Sequence, residues 1–159
     1  MKYWSLLLVS QHSGVVKLIM RTASVRWKGG SNGGTQLMST ESGVLKQARY
    51  SSGIPLKEKS CTDPAELIAA AHAGSFSLAL SNELGLARSA SGNIITTATA
   101  TLEHLAAGWT IMNIHLTVIA RLPKMTQGGF IDATIRAKTS CLVSRLLRAN
   151  VSMNAKLEN

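Results

Sequence analysis

The segment from Asp63 to Gly85 constrains the fold more than any other part of the chain. Asp63 has the character of a helix N-cap, Pro64 suits the first helical position, and Glu66 stands three residues after the cap. The spacing predicts a helix over Leu67–Leu84, with Gly85 as its stop. Ala69, Ala70, Ala71, Ala73, Phe76, Leu78, Ala79 and Leu80 leave almost no polar face across its middle. A helix that is apolar all round belongs in a core or an interface. One small sheet cannot cover that much apolar surface, so a homodimer is expected.

The remaining segments supply sheet. Residues 21–28 alternate, with Ala23, Val25 and Trp27 on one side and Thr22, Ser24 and Arg26 on the other. A Gly-rich turn over residues 29–34 and a return strand over 35–41 complete a hairpin that Gly43 ends. That turn is no phosphate-binding loop, because neither a Lys-Ser/Thr pair nor a helix follows it. Residues 44–61 read as a polar connection carrying Lys46, Arg49, Lys57 and Lys59. Period-two alternation resumes at Ile94–Glu103 and at 109–121, where Met112, Ile114, Leu116 and Val118 share one face and Asn113, His115 and Thr117 the other. Pro123, Gly128 and Gly129 separate this strand from a second helix at about 130–148, with Cys141 inside it. Val151, Met153, Ala155 and Leu157 face inward from a last strand. Strands, helix, strands, helix, strand, with helices segregated against a largely antiparallel sheet, make the fold class α+β.

Composition narrows the functional classes. Hydrophobic residues are 45% of the 159, enough for a core, but aromatics are only 4%, so that core is aliphatic. The net charge of +9 favours acidic surfaces, nucleic acid or anionic small molecules. The basic residues are scattered and no aromatics alternate with them, so no nucleic-acid partner is expected. The apolar run Leu6–Val9 is too short to span a membrane or to form a signal-peptide core. Residues 1–20 therefore read as an N-terminal extension or mis-start, residues 21–159 as a single domain, and no membrane partner is expected. Cys61 and Cys141 form neither a disulfide framework nor a metal-ligand spacing, so no metal and no cofactor are expected. Two thiols without a secretory signal point to a reducing, cytoplasmic compartment.

Three stretches carry a family resemblance: S-T-E-S-G-V-L at Ser39–Leu45, T-D-P-A-E-L-I-A-A-A-H-A-G-S-F-S-L-A-L-S at Thr62–Ser81, and A-K-T-S-C-L-V-S-R-L-L-R-A at Ala137–Ala149. With the strand at Thr110–Ala120 they resemble the OsmC branch of the OsmC/Ohr family over about residues 21–159. The resemblance implies an intertwined homodimer, in which curved antiparallel sheets wrap two central helices and the site lies at the subunit boundary. It also implies thiol-dependent reduction of organic hydroperoxides in the oxidative-stress response. A helix cysteine attacks the peroxide as thiolate, a second cysteine resolves the sulfenic acid as a disulfide, and a dithiol reductant restores both. An arginine and a glutamate hold the thiolate and the peroxide.

Carried over position by position, the attacking cysteine is Ser75, the glutamate is Ala65, the arginine is Pro55, and only the resolving cysteine survives, as Cys141. Glu66 matches the next, non-catalytic position. A hydroxyl offers no oxidation ladder and no thiolate-like anion at neutral pH, so impaired turnover is expected. The alternative is a non-catalytic dimer that binds a hydrophobic small molecule.

Other residues have plainer readings. Ser75 lies eleven residues beyond Pro64, or ~16 Å along a helix, so Cys61 cannot replace the missing thiol or bridge to Cys141. His72 and Ser75 share a helix face, but a hydrolase needs an orienting acid and an oxyanion hole, and neither is legible. Arg49 is the cation nearest Pro55, in what reads as a solvated connection. Met112 and Met153 are core candidates, and Cys141 also suits a small buried hydrophobe.

Overall fold

The helix α1, Pro64–Glu83, is the element on which the second sheet and the other helices are organised. Asp63 caps it, accepting a 2.8 Å hydrogen bond from the Glu66 amide, and the chain leaves it through Gly85 at φ +67, a conformation that favours glycine. The computed structural model describes residues 18–28, 35–51, 61–85 and 92–158. Residues 1–17 of the extension expected over 1–20, the Gly-rich turn and Pro55 lie outside the described residues.

Among the described residues two three-stranded sheets accompany the helices. The first joins β1 (Ala23–Lys28), β2 (Thr35–Thr40) and β3 (Ala48–Tyr50) in antiparallel order. The strand β3 falls inside the segment expected to be a polar connection, so Arg49 sits on a strand, opposite Leu37. Tyr50 also bridges Thr62, tying this sheet to the approach of α1. The second sheet joins β4 (Asn93–Leu105), β5 (Gly108–Arg121) and β6 (Asn150–Glu158). The β4–β5 pair is an antiparallel hairpin, whereas β5 and β6 run parallel. A parallel pair needs a crossover, which the helices α2 (Gln127–Ser140) and α3 (Leu142–Leu146) supply.

The core lies between the second sheet and the helices. Ile114, Leu116, Val118 and Ala120 of β5 meet Phe76 and Leu80 of α1 and Phe130, Ala133 and Ala137 of α2. Each large aliphatic or aromatic side chain buried this way contributes about 1.5–3 kcal/mol. Met153 packs against this cluster as expected, but Met112 is 36% exposed. The register shifts between Thr101 and Leu102, which pair with Asn113 and Ile111, so Met112 is the extra residue of a bulge and Ile111 turns inward in its place.

The second helical stretch also differs from its expected form. It begins at Gln127, because Thr126 caps it by accepting from the Gly129 amide, so Gly128 and Gly129 occupy its first turn. It breaks at Cys141, whose φ of −60 and ψ of 123 are extended. The first sheet, by contrast, makes no extensive contact with α1 or the second sheet among the described residues. Every residue of β1 is exposed, including Val25 and Trp27. On α1, Ala70, Ala71, Gly74 and Leu78 are exposed as well.

Candidate functional site

The break between α2 and α3 places a thiol against the middle of α1. Cys141 is fully buried, and its Sγ lies 3.3 Å from the Oγ of half-buried Ser75. Cys141 is also the N-cap residue of α3, which puts Ser144 at the third helical position, where a side chain turns back towards the cap. Burial by itself pushes the Cys141 thiol up, but the Ser144 and Ser75 hydroxyls and the amides of Ser144 and Val143 outweigh it and hold the thiol below its ordinary value. The two amides lean on Sγ without closing a full cap hydrogen bond. The charged sulfur is therefore favoured by several weak donors rather than by a neighbouring cation.

His72, one turn before Ser75, is also fully buried. Its Nε2 is 2.8 Å from Ser144 Oγ, while its Nδ1 is buried with no hydrogen-bond partner among the described residues. Desolvation holds the His72 imidazole below its ordinary value and so keeps it neutral. The Ser75 hydroxyl engages Cys141 and not His72, so the Ser75–His72 pairing that a hydrolase would need does not form. A serine–histidine pair does exist, with Ser144, but among the described residues no carboxylate orients Nδ1 and no triad results.

The other sequence-derived positions lie elsewhere. Ala65 is buried in the first turn of α1. It precedes Ser75 by ten residues, or ~15 Å along the axis, so a side chain there cannot reach the Ser75 of its own chain. Cys61 is half-buried just ahead of α1 and is not disulfide-bonded to Cys141. Arg49 is exposed on β3. Among the described residues no group of three His, Cys, Asp or Glu side chains could hold a metal, and no helix is long and apolar enough to cross a membrane. Ser144 is the one member of the cluster that sequence reasoning missed. Its spacing of three from Cys141 is the signal that would have found it, had the helix break been recognised.

An apolar capped helix lying on a mixed sheet, with a buried thiol held against its middle turn, places the chain in the class of small α+β domains. The chain belongs to the OsmC-like protein family, whose family model matches residues 57–156. It is 36% identical over 141 residues to the peroxiredoxin OsmC of Escherichia coli, a match covering 89% of this chain and 99% of the relative. An OsmC-like protein from Vibrio cholerae shares the fold with a TM-score of 0.73 at 17% identity, over 87% of this chain and all of that one. An organic hydroperoxide resistance protein OsmC from Legionella pneumophila matches at TM-score 0.65 and 20% identity, over 91% of this chain and all of that one.

Proposed function

We propose that this chain is an OsmC-type, peroxiredoxin-like protein of the cytoplasmic oxidative-stress response, working as a homodimer, whose own hydroperoxide turnover is impaired at Ser75. The observation that carries the proposal is the 3.3 Å contact between Ser75 Oγ and Cys141 Sγ. In the two-thiol reaction, a thiolate attacks the peroxide O–O bond, releasing an alcohol and becoming a sulfenic acid. The second thiol then displaces water to form a disulfide, which a dithiol reductant reopens. Here the partner facing Cys141 is a hydroxyl, which can take neither thiol role. The scaffold and the resolving position are retained, but a disulfide cycle cannot close between these two residues.

The positions read as arginine and glutamate compound the loss. With Pro55 and Ala65 there, no guanidinium and no carboxylate is supplied from those sites to lower a thiol pKa or to hold a peroxide. The ~15 Å between Ala65 and Ser75 along α1 also supports a site completed across two chains, because these positions cannot meet within one. Consumption of cumene hydroperoxide by the purified chain with a dithiol reductant tests the proposal. The expected result is turnover close to the no-protein control.

A further inference from the structure

A groove of about 710 Å³ runs between the C-terminal half of α2, α3 and the start of β6. That volume lies within the ~300–1,000 Å³ usual for small-molecule sites. Its lining has two chemical characters. Ile135, Val151 and Met153 give it an apolar side, while Lys138 and Arg145 bring two cations, and among the described residues no acidic residue lines it. Lys138 Nζ spends one donor on the Val151 carbonyl at 2.6 Å, which fixes the ammonium at the groove and leaves it further donors. Arg145 is exposed and makes no ion pair among the described residues. The guanidinium is thus available to a ligand, with a planar fork that matches a carboxylate.

We propose that this groove binds a long-chain monocarboxylate, with the head group held by Arg145 and Lys138 and the chain laid on Ile135, Val151 and Met153. Charge complementarity selects the head group: an unopposed pair of cations on a chain of net charge +9 favours an anion. The apolar side selects the tail, since a small hydrophilic anion would leave it wet. The groove is distinct from the Ser75–Cys141 contact but adjoins it, because Ser144 lines the groove while its Oγ bonds His72. Binding here needs no thiol chemistry, so a chain that reduces no peroxide can still hold the ligand.

The test uses the full chain with three probes in calorimetry: dodecanoate, dodecanol and butyrate. Arg145→Glu and Ile135→Asp alter exposed side chains and leave the core intact, which thermal unfolding checks. Dodecanoate should bind more tightly than dodecanol, and butyrate should bind at least tenfold more weakly than dodecanoate. Arg145→Glu should weaken dodecanoate about tenfold or more and leave dodecanol unchanged, whereas Ile135→Asp should weaken both long-chain probes. No dodecanoate binding by the folded native chain overturns the proposal. So does binding that Arg145→Glu leaves unaltered. If Arg145→Glu instead changes the oligomeric state and no probe binds, the groove is a contact between copies of the chain and the proposal is wrong.

Discussion

Replacing Ser75 with cysteine is the perturbation for which the structure gives the clearest magnitude. The Ser75 oxygen already lies 3.3 Å from Cys141 Sγ. Substituting sulfur and closing to the ~2.05 Å of a disulfide asks for about 1 Å of movement, shared between two side chains. The bridge would join positions separated by 66 residues. Constraining a loop of that length in the unfolded chain stabilises the fold by about 4 kcal/mol in the chain-entropy account, less any strain in the closed bond. For a domain of this size that corresponds to a rise in Tm of roughly 10 °C. The assay is thermal unfolding of Ser75→Cys after mild oxidation, with and without reductant, and with the bridge located by peptide mapping. A Tm gain that disappears on reduction, with a 75–141 linkage in the map, is expected. An oxidised sample in which both thiols remain alkylatable, or in which Cys61 forms the bridge, would refute the side-by-side placement.

Three further outcomes follow from the fold and its buried groups. Sedimentation at micromolar concentration should show a dimer, since Leu78, Trp27 and Ile95 are 65%, 59% and 55% exposed on a single chain; a well-folded monomer would contradict this. His72 is held neutral below its ordinary value of 6.5, so the unfolded chain binds a proton that the folded chain refuses. That contribution to stability is present above the ordinary value of 6.5 and is lost as pH falls from there through the lowered value of the folded chain, and denaturant titrations of the native chain and His72→Gln should show the loss only in the former. Asp63→Ala removes the 2.8 Å cap on the Glu66 amide and should cost about 1 kcal/mol in the same titrations, within a range of roughly 0.5–2.

Local signals carried the helix and most strands, while long-range pairing carried what the sequence concealed. Asp63, Pro64 and Gly85 bound α1 as their chemistry requires, because capping is settled within one turn of chain. The inward alternation of β5 and β6 was legible for the same local reason. Met112 was misplaced because a bulge depends on which residue of the neighbouring strand it faces, and a single strand does not encode that. The parallel pairing of β6 with β5 was hidden too, since alternation looks alike in either direction. At the site, Ser75 and Cys141 could be matched only through the family pattern, and the structure brings them into contact across 66 residues. The break at Cys141 ran against a continuous apolar period through Leu142, Val143, Leu146 and Leu147, so neither the cap position of the thiol nor the part played by Ser144 was visible.

The central claim is that Ser75, Pro55 and Ala65 together remove the peroxidase chemistry from a retained scaffold. It is tested most directly by hydroperoxide consumption, measured side by side for the native chain, Ser75→Cys, and the triple variant Ser75→Cys, Pro55→Arg, Ala65→Glu, with one dithiol reductant. The native chain should match the no-protein control. Ser75→Cys should be slow, because an unperturbed thiol of pKa about 8.5 is only a few per cent thiolate near pH 7, and burial lowers that fraction further. The triple variant should exceed it by more than the separate charge changes combined, because the two charges orient one another as well as the peroxide. Robust turnover by the native chain would contradict the account and would point to Cys141 or Cys61 as the working nucleophile.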